Sequence, residues 1–150
     1  MTGFEHLLVA TDLSDEALPG IDAAAALARR LDARVTLVFV VDDHLPPLYD
    51  ALPDADRQRL LDEHERRARS SLEGLASGRF AGLDLDLAIL VGTPHEEIVR
   101  AAVTTGADLV VMGTHGYGRV ASMVFGSTAE RVLRHAPCPV VLVRADAGAP

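Results

Sequence analysis

Residues 109–135 read LVVMGTHGYGRVASMVFGSTAERVLRH and set the architecture of the chain. The apolar run at the start predicts a buried strand, and the pattern of the last eight residues predicts a helix. The loop between them, residues 113–127, is longer than most connections in compact domains, and such loops are more often functional than idle. Its glycines allow sharp turns and let a ligand approach backbone amides. The stretch therefore predicts a strand, a loop and an anion-binding helix start.

A purely structural interpretation explains the same residues. Gly113, Gly116 and Gly118 would then only shape a turn. Ser127 is followed three residues later by Glu130, which is the pattern of a capping box. From the residues alone, a phosphate site and a simple turn are equally good interpretations.

Short apolar runs alternate with helical patterns along the whole chain. Strands are predicted at residues 6–10, 35–41, 84–91, 107–112 and 140–144, with helices in each interval. Thr93, Pro94 and Glu96 form a strong helix start, whereas Pro19 either begins the first helix or bends its first turn. This alternation predicts an α/β fold, a doubly wound parallel sheet of five strands with helices on both faces.

The first predicted strand ends at Thr11 and Asp12. In open α/β sheets, ligands bind beyond the carboxyl ends of the strands, where the strand order reverses. Asp12 and the glycine loop would then face one crevice. Two roles for Asp12 stay open from the residues alone, a helix cap and a ligand contact.

Composition excludes several classes of partner and chemistry. The chain has 150 residues, a length that predicts one domain. Its net charge of −8 argues against nucleic acid or an anionic membrane as partner. No apolar run is long enough to span a membrane and the first residues do not resemble a signal peptide, so we expect a cytoplasmic protein. The single cysteine, Cys138, is interpreted as a small buried residue and not as a nucleophile.

The basic residues restrict how a phosphate could be held. All 14 are arginine, so the chain cannot supply the lysine of a Walker-type P-loop or form a lysine Schiff base. A phosphate would have to be bound by backbone amides, hydroxyls, arginine or a metal ion. The six histidines show no metal-ligand spacing, and no catalytic constellation is visible.

The spacing Gly113-x2-Gly116-x9-Gly126-Ser127 resembles the nucleotide-binding signature of the universal stress protein family. Residues 8–14, 40–42, 92–98, 107–116 and 135–144 are also similar to that family. The resemblance covers almost the whole chain and is weakest from residue 43 to residue 83. It implies one Rossmann-like domain over residues 1–150, with strand order 3-2-1-4-5, that forms a homodimer.

The complete glycine signature resembles the ATP-binding branch of the family, which implies bound ATP with Mg²⁺. Asp12 would then contact either the nucleoside or a metal ion bound to the phosphates. Carried over to this chain, the resemblance implies that Val40 lines the adenine pocket and that Gly126, Ser127 and Thr128 hold phosphates. The nucleotide-binding residues that it implies are Ala10, Thr11, Asp12, Val40, Met112, Gly113, His115, Gly116, Gly126, Ser127 and Thr128.

Three functional hypotheses follow. The favoured one is a stress-response or regulatory module that binds ATP as a dimer, with no or very slow hydrolysis. The second is an enzyme that consumes ATP, and the third is a dimeric interaction protein with an empty nucleotide site. There is a physical reason to expect a dimer, because an apolar strand at a sheet edge is normally covered or paired. That edge is predicted at Val140, Val141, Leu142 and Val143.

Overall fold

A computed structural model describes residues 3–44, 47–114 and 125–145 of the chain. The strands and helices follow in the order β1 (His6–Ala10), α1 (Leu18–Leu31), β2 (Arg34–Asp42), α2 (Asp54–Ser77), β3 (Leu85–Gly92), α3 (Pro94–Thr105), β4 (Leu109–Gly113), α4 (Ser127–His135) and β5 (Val140–Val143). Short 3-10 turns cover Asp15–Ala17 and Pro47–Ala51. The predicted alternation of strands and helices is confirmed.

The strands form one five-stranded sheet in the order β3-β2-β1-β4-β5, and every pairing is parallel. The chain winds outwards from β1 to β3 and then returns to β4 on the other side of β1. The strand order therefore reverses between β1 and β4. This doubly wound arrangement is the one that the sequence predicts.

Side chains alternate between the two faces of the sheet, and each face is covered by two helices. Leu7 and Val9 of β1 lie in the core with α1 and α2, whereas Leu8 and Ala10 lie in the core with α3 and α4. The central strand β1 is buried along its whole length, as expected for a strand covered on both faces. A stable scaffold therefore supports the carboxyl ends of β1 and β4.

The first helix begins later than the acidic sequence after Asp12 suggests. Ser14 precedes a 3-10 turn, and the α-helix starts only at Leu18, with Pro19 in its first positions. Proline fits there because its missing N–H has no intrahelical partner in any case. The interpretation that the helix proper starts near Pro19 is confirmed.

The capping box at Ser127 is not formed. Gly126 is the N-cap residue of α4, so Ser127 is already the first helical residue, and no side chain caps the helix. Thr93 is the N-cap residue of α3 as predicted, but its side chain makes no capping hydrogen bond either. The sequence pattern located both helix starts, although it misjudged how they are satisfied.

The two ends of the strand order are edges, as predicted for β3 and β5. All four residues of β5 are half-buried, and Val140 and Leu142 pack towards the α3 and α4 face. Cys138 is half-buried beside them, and burial raises the pKa of its thiol, which suits a packing role better than a nucleophilic one. None of the helices in the described part of the chain is long and apolar enough to cross a membrane.

Candidate functional site

A cavity of about 850 Å³ opens at the carboxyl ends of β1, β2 and β4. It lies at the reversal of strand order between β1 and β4, where parallel sheets usually bind ligands. Its volume falls within the range of about 300–1,000 Å³ that is typical of small-molecule sites. The cavity is the principal candidate for a ligand site in the described structure.

The cavity brings together all the predicted site residues that the structure describes. These are Ala10, Thr11, Asp12, Val40, Met112, Gly113, Gly126, Ser127 and Thr128. His115 and Gly116, which the resemblance also implies, lie outside the described residues. The predicted crevice shared by Asp12 and both ends of the glycine loop is therefore present.

Backbone hydrogen bonds hold the start of α4 against the end of β4. The Gly126 N–H donates to the Thr114 carbonyl oxygen at 2.6 Å, and the Thr114 N–H donates to the Val143 carbonyl at 3.0 Å. The N-cap residue Gly126 has no side chain that could accept the first N–H groups of α4, and no capping hydrogen bond to them is seen among the described residues. The hydroxyls of Ser127 and Thr128 line the same cavity. The start of a helix carries a partial positive charge and free N–H groups, which are features that favour anion binding.

The Asp12 carboxylate lies in a tight turn on the opposite side of the crevice. Its Oδ1 accepts hydrogen bonds from the Ser14 N–H at 2.9 Å and from the Ser14 hydroxyl at 2.5 Å. The Leu13 N–H donates to the Thr11 Oγ1 at 3.0 Å. Leu13 has φ +64°, a left-handed conformation that is uncommon outside glycine. Such strain is often stored at functional sites.

Apolar side chains form the wall of the crevice on the α3 and α4 face. Ala10, Val38, Val40 and Met112 come from neighbouring strands, and Ile98 comes from the first turns of α3. An apolar wall next to a few polar groups is the usual composition of a small-molecule site. The arrangement can hold a flat apolar ring against the sheet while an anionic group reaches α4.

Sequence reasoning missed the part of the cavity that lies under α2. Leu60, Leu61 and His64 line it, and their near-helical spacing in the sequence indicates only the buried face of a helix. In the structure Ala68 and Leu72 are the buried residues of that helix, whereas Leu61 is only partly buried against the core and Leu60 is 39% exposed. The His64 ring instead lies 5.8 Å from the Phe39 ring. The many charged residues between positions 54 and 67 are the sequence feature that could have predicted this looser packing.

One group of side chains in the described structure could offer a metal ion several ligands. Asp42, Asp43 and His44 place ligand atoms within 4.8 Å of one another at the end of β2. All three residues are exposed, and acidic groups of this kind are common without an ion. We assign no metal ion to them.

The chain was compared with known proteins. The model of the universal stress protein family matches residues 3–144. A universal stress protein of Thermus aquaticus is 35% identical over 144 residues, which cover 94% of this chain and 99% of that protein. A universal stress protein of Methanocaldococcus jannaschii is 32% identical and covers 94% of this chain and 82% of that protein.

Solved structures share the fold. The universal stress protein UspA from Lactobacillus plantarum has a TM-score of 0.84 and 28% identity, and covers 96% of this chain and 100% of that one. A universal stress protein in complex with cAMP has a TM-score of 0.65 and 23% identity, with 96% and 99% coverage. One from Archaeoglobus fulgidus in complex with dAMP has a TM-score of 0.58 and 23% identity, with 96% and 100% coverage. The last two likenesses show the fold alone.

Proposed function

The chain belongs to the universal stress protein family, and we propose that its crevice binds an adenine nucleotide, namely ATP with Mg²⁺. We further propose that residues 1–150 act as one regulatory domain in a stress response, as a dimer with no or very slow hydrolysis. One observation carries the proposal. The uncapped start of α4 opens into the same cavity as an apolar wall and the Asp12 carboxylate.

Each part of a nucleotide has a suitable surface in the crevice. The base would lie against Val40 and Met112, where apolar side chains from the sheet exclude water. The phosphates would meet the first N–H groups of α4 and the hydroxyls of Ser127 and Thr128. This mode of binding needs no lysine, in agreement with the composition of the chain.

Two structural neighbours support the choice of an adenine nucleotide. One was solved with cAMP and the other with dAMP. Both ligands combine adenine with a phosphate, which is the combination that the apolar wall and the helix start would recognise. Because these neighbours share only the fold with this chain, the choice rests mainly on the crevice itself.

The donor set also fits a magnesium ion. Mg²⁺ prefers oxygen ligands and is usually held by one or two carboxylates together with phosphates and water. Asp12, with the hydroxyls of Ser127 and Thr128, would supply such oxygens beside the phosphates. When bound, the ion would neutralise phosphate charge in a chain whose own net charge is −8.

Slow or absent hydrolysis follows from how the carboxylates of the cavity are engaged. Asp12 accepts two hydrogen bonds from Ser14, Glu63 pairs with Arg67, and Asp42 pairs with His44. Phosphoryl transfer to water needs a group that positions the attacking water and cations that stabilise the transition state. We propose that Asp12 is the ligand of the magnesium ion, and Glu63 and Asp42 each have a basic partner on the protein, so no carboxylate among the described residues is assigned to position the attacking water.

The decisive experiment is to identify and then rebind the ligand. Protein purified without added nucleotide is denatured, and the released compounds are identified by chromatography. The emptied protein is titrated with ATP, cAMP, adenosine and GTP, each with Mg²⁺. We expect ATP to bind more tightly than adenosine, because of the phosphate contacts, and more tightly than GTP. No binding up to millimolar ATP would favour the interaction protein with an empty site.

Turnover separates a binding module from an enzyme. We expect less than one ATP hydrolysed per protein over an hour, measured as released inorganic phosphate. Steady turnover that disappears in Asp12→Ala would favour the ATP-consuming enzyme and contradict the proposed regulatory module.

We propose that the homodimer forms through the β5 edge, at Val140, Val141, Leu142 and Val143. An open strand edge presents unpaired N–H and C=O groups, which a second copy can cover. Sedimentation should show a dimer that becomes a monomer in Val141→Glu. Val91→Glu is the matched control, because it places the same charge on the half-exposed β3 edge. A monomeric wild type, or a dimer that survives Val141→Glu, would contradict the proposal.

A further inference from the structure

We infer that Ser14 is a positioning residue, which holds the Asp12 carboxylate in a single orientation at the mouth of the nucleotide crevice. The inference rests on the proposed function, since Asp12 is the carboxylate offered to the ligand. Ser14 itself is absent from the wall of the cavity. Its effect on a ligand would therefore be transmitted through Asp12.

The hydrogen bonds of Ser14 support this role. Its side chain is 4% exposed and its hydroxyl donates to the Asp12 Oδ1 at 2.5 Å. Its N–H donates to the same oxygen at 2.9 Å. Two donors from one residue that converge on one carboxylate oxygen hold that oxygen in place and so restrict rotation of the Asp12 side chain. Hydrogen bonds to a charged acceptor are roughly twice as strong as neutral ones.

The backbone around Asp12 keeps this arrangement from relaxing. Leu13 holds a left-handed φ of +64° while its side chain packs against the core on the α1 and α2 face. The Thr11 hydroxyl, in a residue that is 8% exposed, accepts the Leu13 N–H. A non-glycine residue keeps this conformation only where the surroundings over-determine it. The turn therefore presents Asp12 with little freedom before any ligand arrives.

A carboxylate that is already held in its binding orientation should bind the ligand more tightly, because less freedom is lost on binding. Partners that orient a metal-binding or ligand-binding carboxylate typically contribute about 10- to 100-fold to affinity. In Ser14→Ala the backbone N–H bond remains, so only the hydroxyl bond is lost. We expect Ser14→Ala to weaken Mg²⁺–ATP binding about tenfold, which is the lower end of that range. Ser14→Thr keeps a hydroxyl and should recover most of the affinity if the extra methyl fits.

A double-mutant cycle tests whether Ser14 acts through Asp12. Titration calorimetry with Mg²⁺–ATP compares the wild type, Ser14→Ala, Asp12→Ala and the double variant. We expect the effect of Ser14→Ala to disappear when Asp12 is already alanine. An equal loss in both backgrounds, or no loss in either, would overturn the inference. Thr105→Ala is the matched control, because it removes a hydroxyl that bonds the Ala101 carbonyl at 2.6 Å in α3.

A measurement on the ligand-free protein separates this inference from the proposed function. Three-bond NMR couplings to the Asp12 side-chain carboxyl carbon report its χ1 rotamer. We expect one dominant rotamer in the wild type and a smaller population of that rotamer in Ser14→Ala, where only the backbone bond from residue 14 remains, so the couplings should shift towards averaged values. The same couplings in both proteins would overturn the inference, whatever the protein binds. A wild type that binds no nucleotide would overturn the proposed function, and the couplings would still decide the role of Ser14.

Discussion

The two ends of the sheet are built differently. The amino end, where the strands begin, is closed by hydrogen bonds between neighbouring strands and loops. The carboxyl end, where the helices begin, has no capping hydrogen bond from the N-cap side chains of the described helices and contains the left-handed turn at Leu13. Both ends belong to the same five strands, so the difference comes from the residues placed just before and just after them.

At the amino end, Asp108 joins two segments that are far apart in sequence. Its carboxylate accepts hydrogen bonds from the N–H groups of Glu5 at 3.0 Å and His6 at 3.2 Å. The Asp108 N–H donates to the His6 carbonyl, and the Arg34 N–H donates to the Glu5 carbonyl, both at 3.0 Å. The polar groups at this end are thus used within the protein, where they contribute to stability.

At the carboxyl end, the backbone N–H groups at the starts of α1, α3 and α4 are not capped by the N-cap side chains. Leu13 has left-handed backbone at this end and Gly92 has φ +150°, although left-handed backbone also occurs at Asp32, the C-cap residue of α1 at the amino end. Local rules that fail together at one place usually mark a functional site. The contrast agrees with the proposed ligand site at this end of the sheet.

The first prediction places a negative charge at the carboxyl end. Ser127→Asp puts a carboxylate at the first helical residue of α4. Repulsion at close range should weaken ATP binding by up to about 1,000-fold, since like charges 4 Å apart cost about 4 kcal/mol near a protein surface. The same carboxylate should raise the free energy of unfolding by about 0.5 kcal/mol, because it complements the helix dipole. Calorimetric titration and urea unfolding measure the two effects.

The neutral variant Ser127→Asn is the control for size at this position. It should lose only a few-fold in affinity, as expected for one altered hydrogen bond. Equal losses for Asp and Asn would show that charge at the start of α4 does not matter. The anion site, and with it the contrast between the two ends, would then be wrong.

The second prediction removes the bridge at the amino end. Asp108→Ala leaves the N–H groups of Glu5 and His6 without their carboxylate acceptor. The free energy of unfolding should fall by about 2 kcal/mol, the typical value for hydrogen bonds to a charged group. Nucleotide affinity should stay within about twofold of the wild type, because the changed group lies at the other end of the sheet. Asp108→Asn keeps one acceptor oxygen and should lose less.

An Asp108→Ala variant whose affinity falls as steeply as its stability would contradict the comparison. It would mean that the two ends are coupled through the strands. Urea unfolding with and without ATP distinguishes the cases, since a ligand that still binds adds the same stabilisation to both proteins.

The third prediction uses pH to test the amino end. His6 is 4% exposed, and its Nε2 lies 2.7 Å from the Thr36 Oγ1, while its Nδ1 has no hydrogen-bond partner among the described residues. Burial, and then the nearby Arg34, lower the pKa of His6 below its ordinary value. The Thr105 carbonyl, Asp108 and Asp86 act in the opposite direction without cancelling this shift.

The sign of the pH effect follows from this shift. Below about pH 6.5 an unfolded His6 binds a proton that the folded protein resists, so stability falls as the pH drops through that value towards the lower folded pKa. His6→Gln stays neutral and should show a flatter pH dependence between about pH 7.5 and 5. Urea unfolding over this range measures the difference, and parallel curves for both proteins would contradict the expectation.

Much of this contrast could be predicted from the sequence. Alternating apolar runs fixed the strand and helix order, and the reversal between β1 and β4 placed Asp12 and Gly126 in one crevice. The choice of N-cap residue could not be predicted. Ser127 with Glu130 is a valid capping box by pattern, but the hydrogen bond from the Gly126 N–H to the Thr114 carbonyl makes Gly126 the cap. That bond depends on how β4 and α4 meet in space.

The hydrogen bonds at the amino end were also harder to predict, because they too depend on how distant segments meet in space. Asp108 and Glu5 are 103 residues apart, and nothing local in either segment indicates that they meet. The left-handed conformation of Leu13 was also invisible, because leucine carries no preference for it. Local propensity therefore predicts the elements, whereas contacts between distant segments decide how their ends are satisfied.

The last prediction compares two helical glycines, one beside the crevice and one outside both ends. A Cβ at Gly74 of α2 would meet nothing within 4 Å, so Gly74→Ala should stabilise the protein by about 0.5–1 kcal/mol through helix propensity. A Cβ at Gly20 of α1 would lie 3.3 Å from the Gly113 backbone nitrogen, at the wall of the crevice.

Gly20→Ala should therefore gain less stability than Gly74→Ala, because the tight contact opposes the same gain in propensity. It should also weaken ATP binding by a few-fold, since Gly113 must shift by a few tenths of an ångström, whereas Gly74→Ala should leave affinity unchanged. Urea unfolding and calorimetric titration of both variants give the four values. Equal stabilisation with unchanged affinity in both would mean that the end of β4 adjusts freely, and the carboxyl end would then be less rigid than its hydrogen bonds imply.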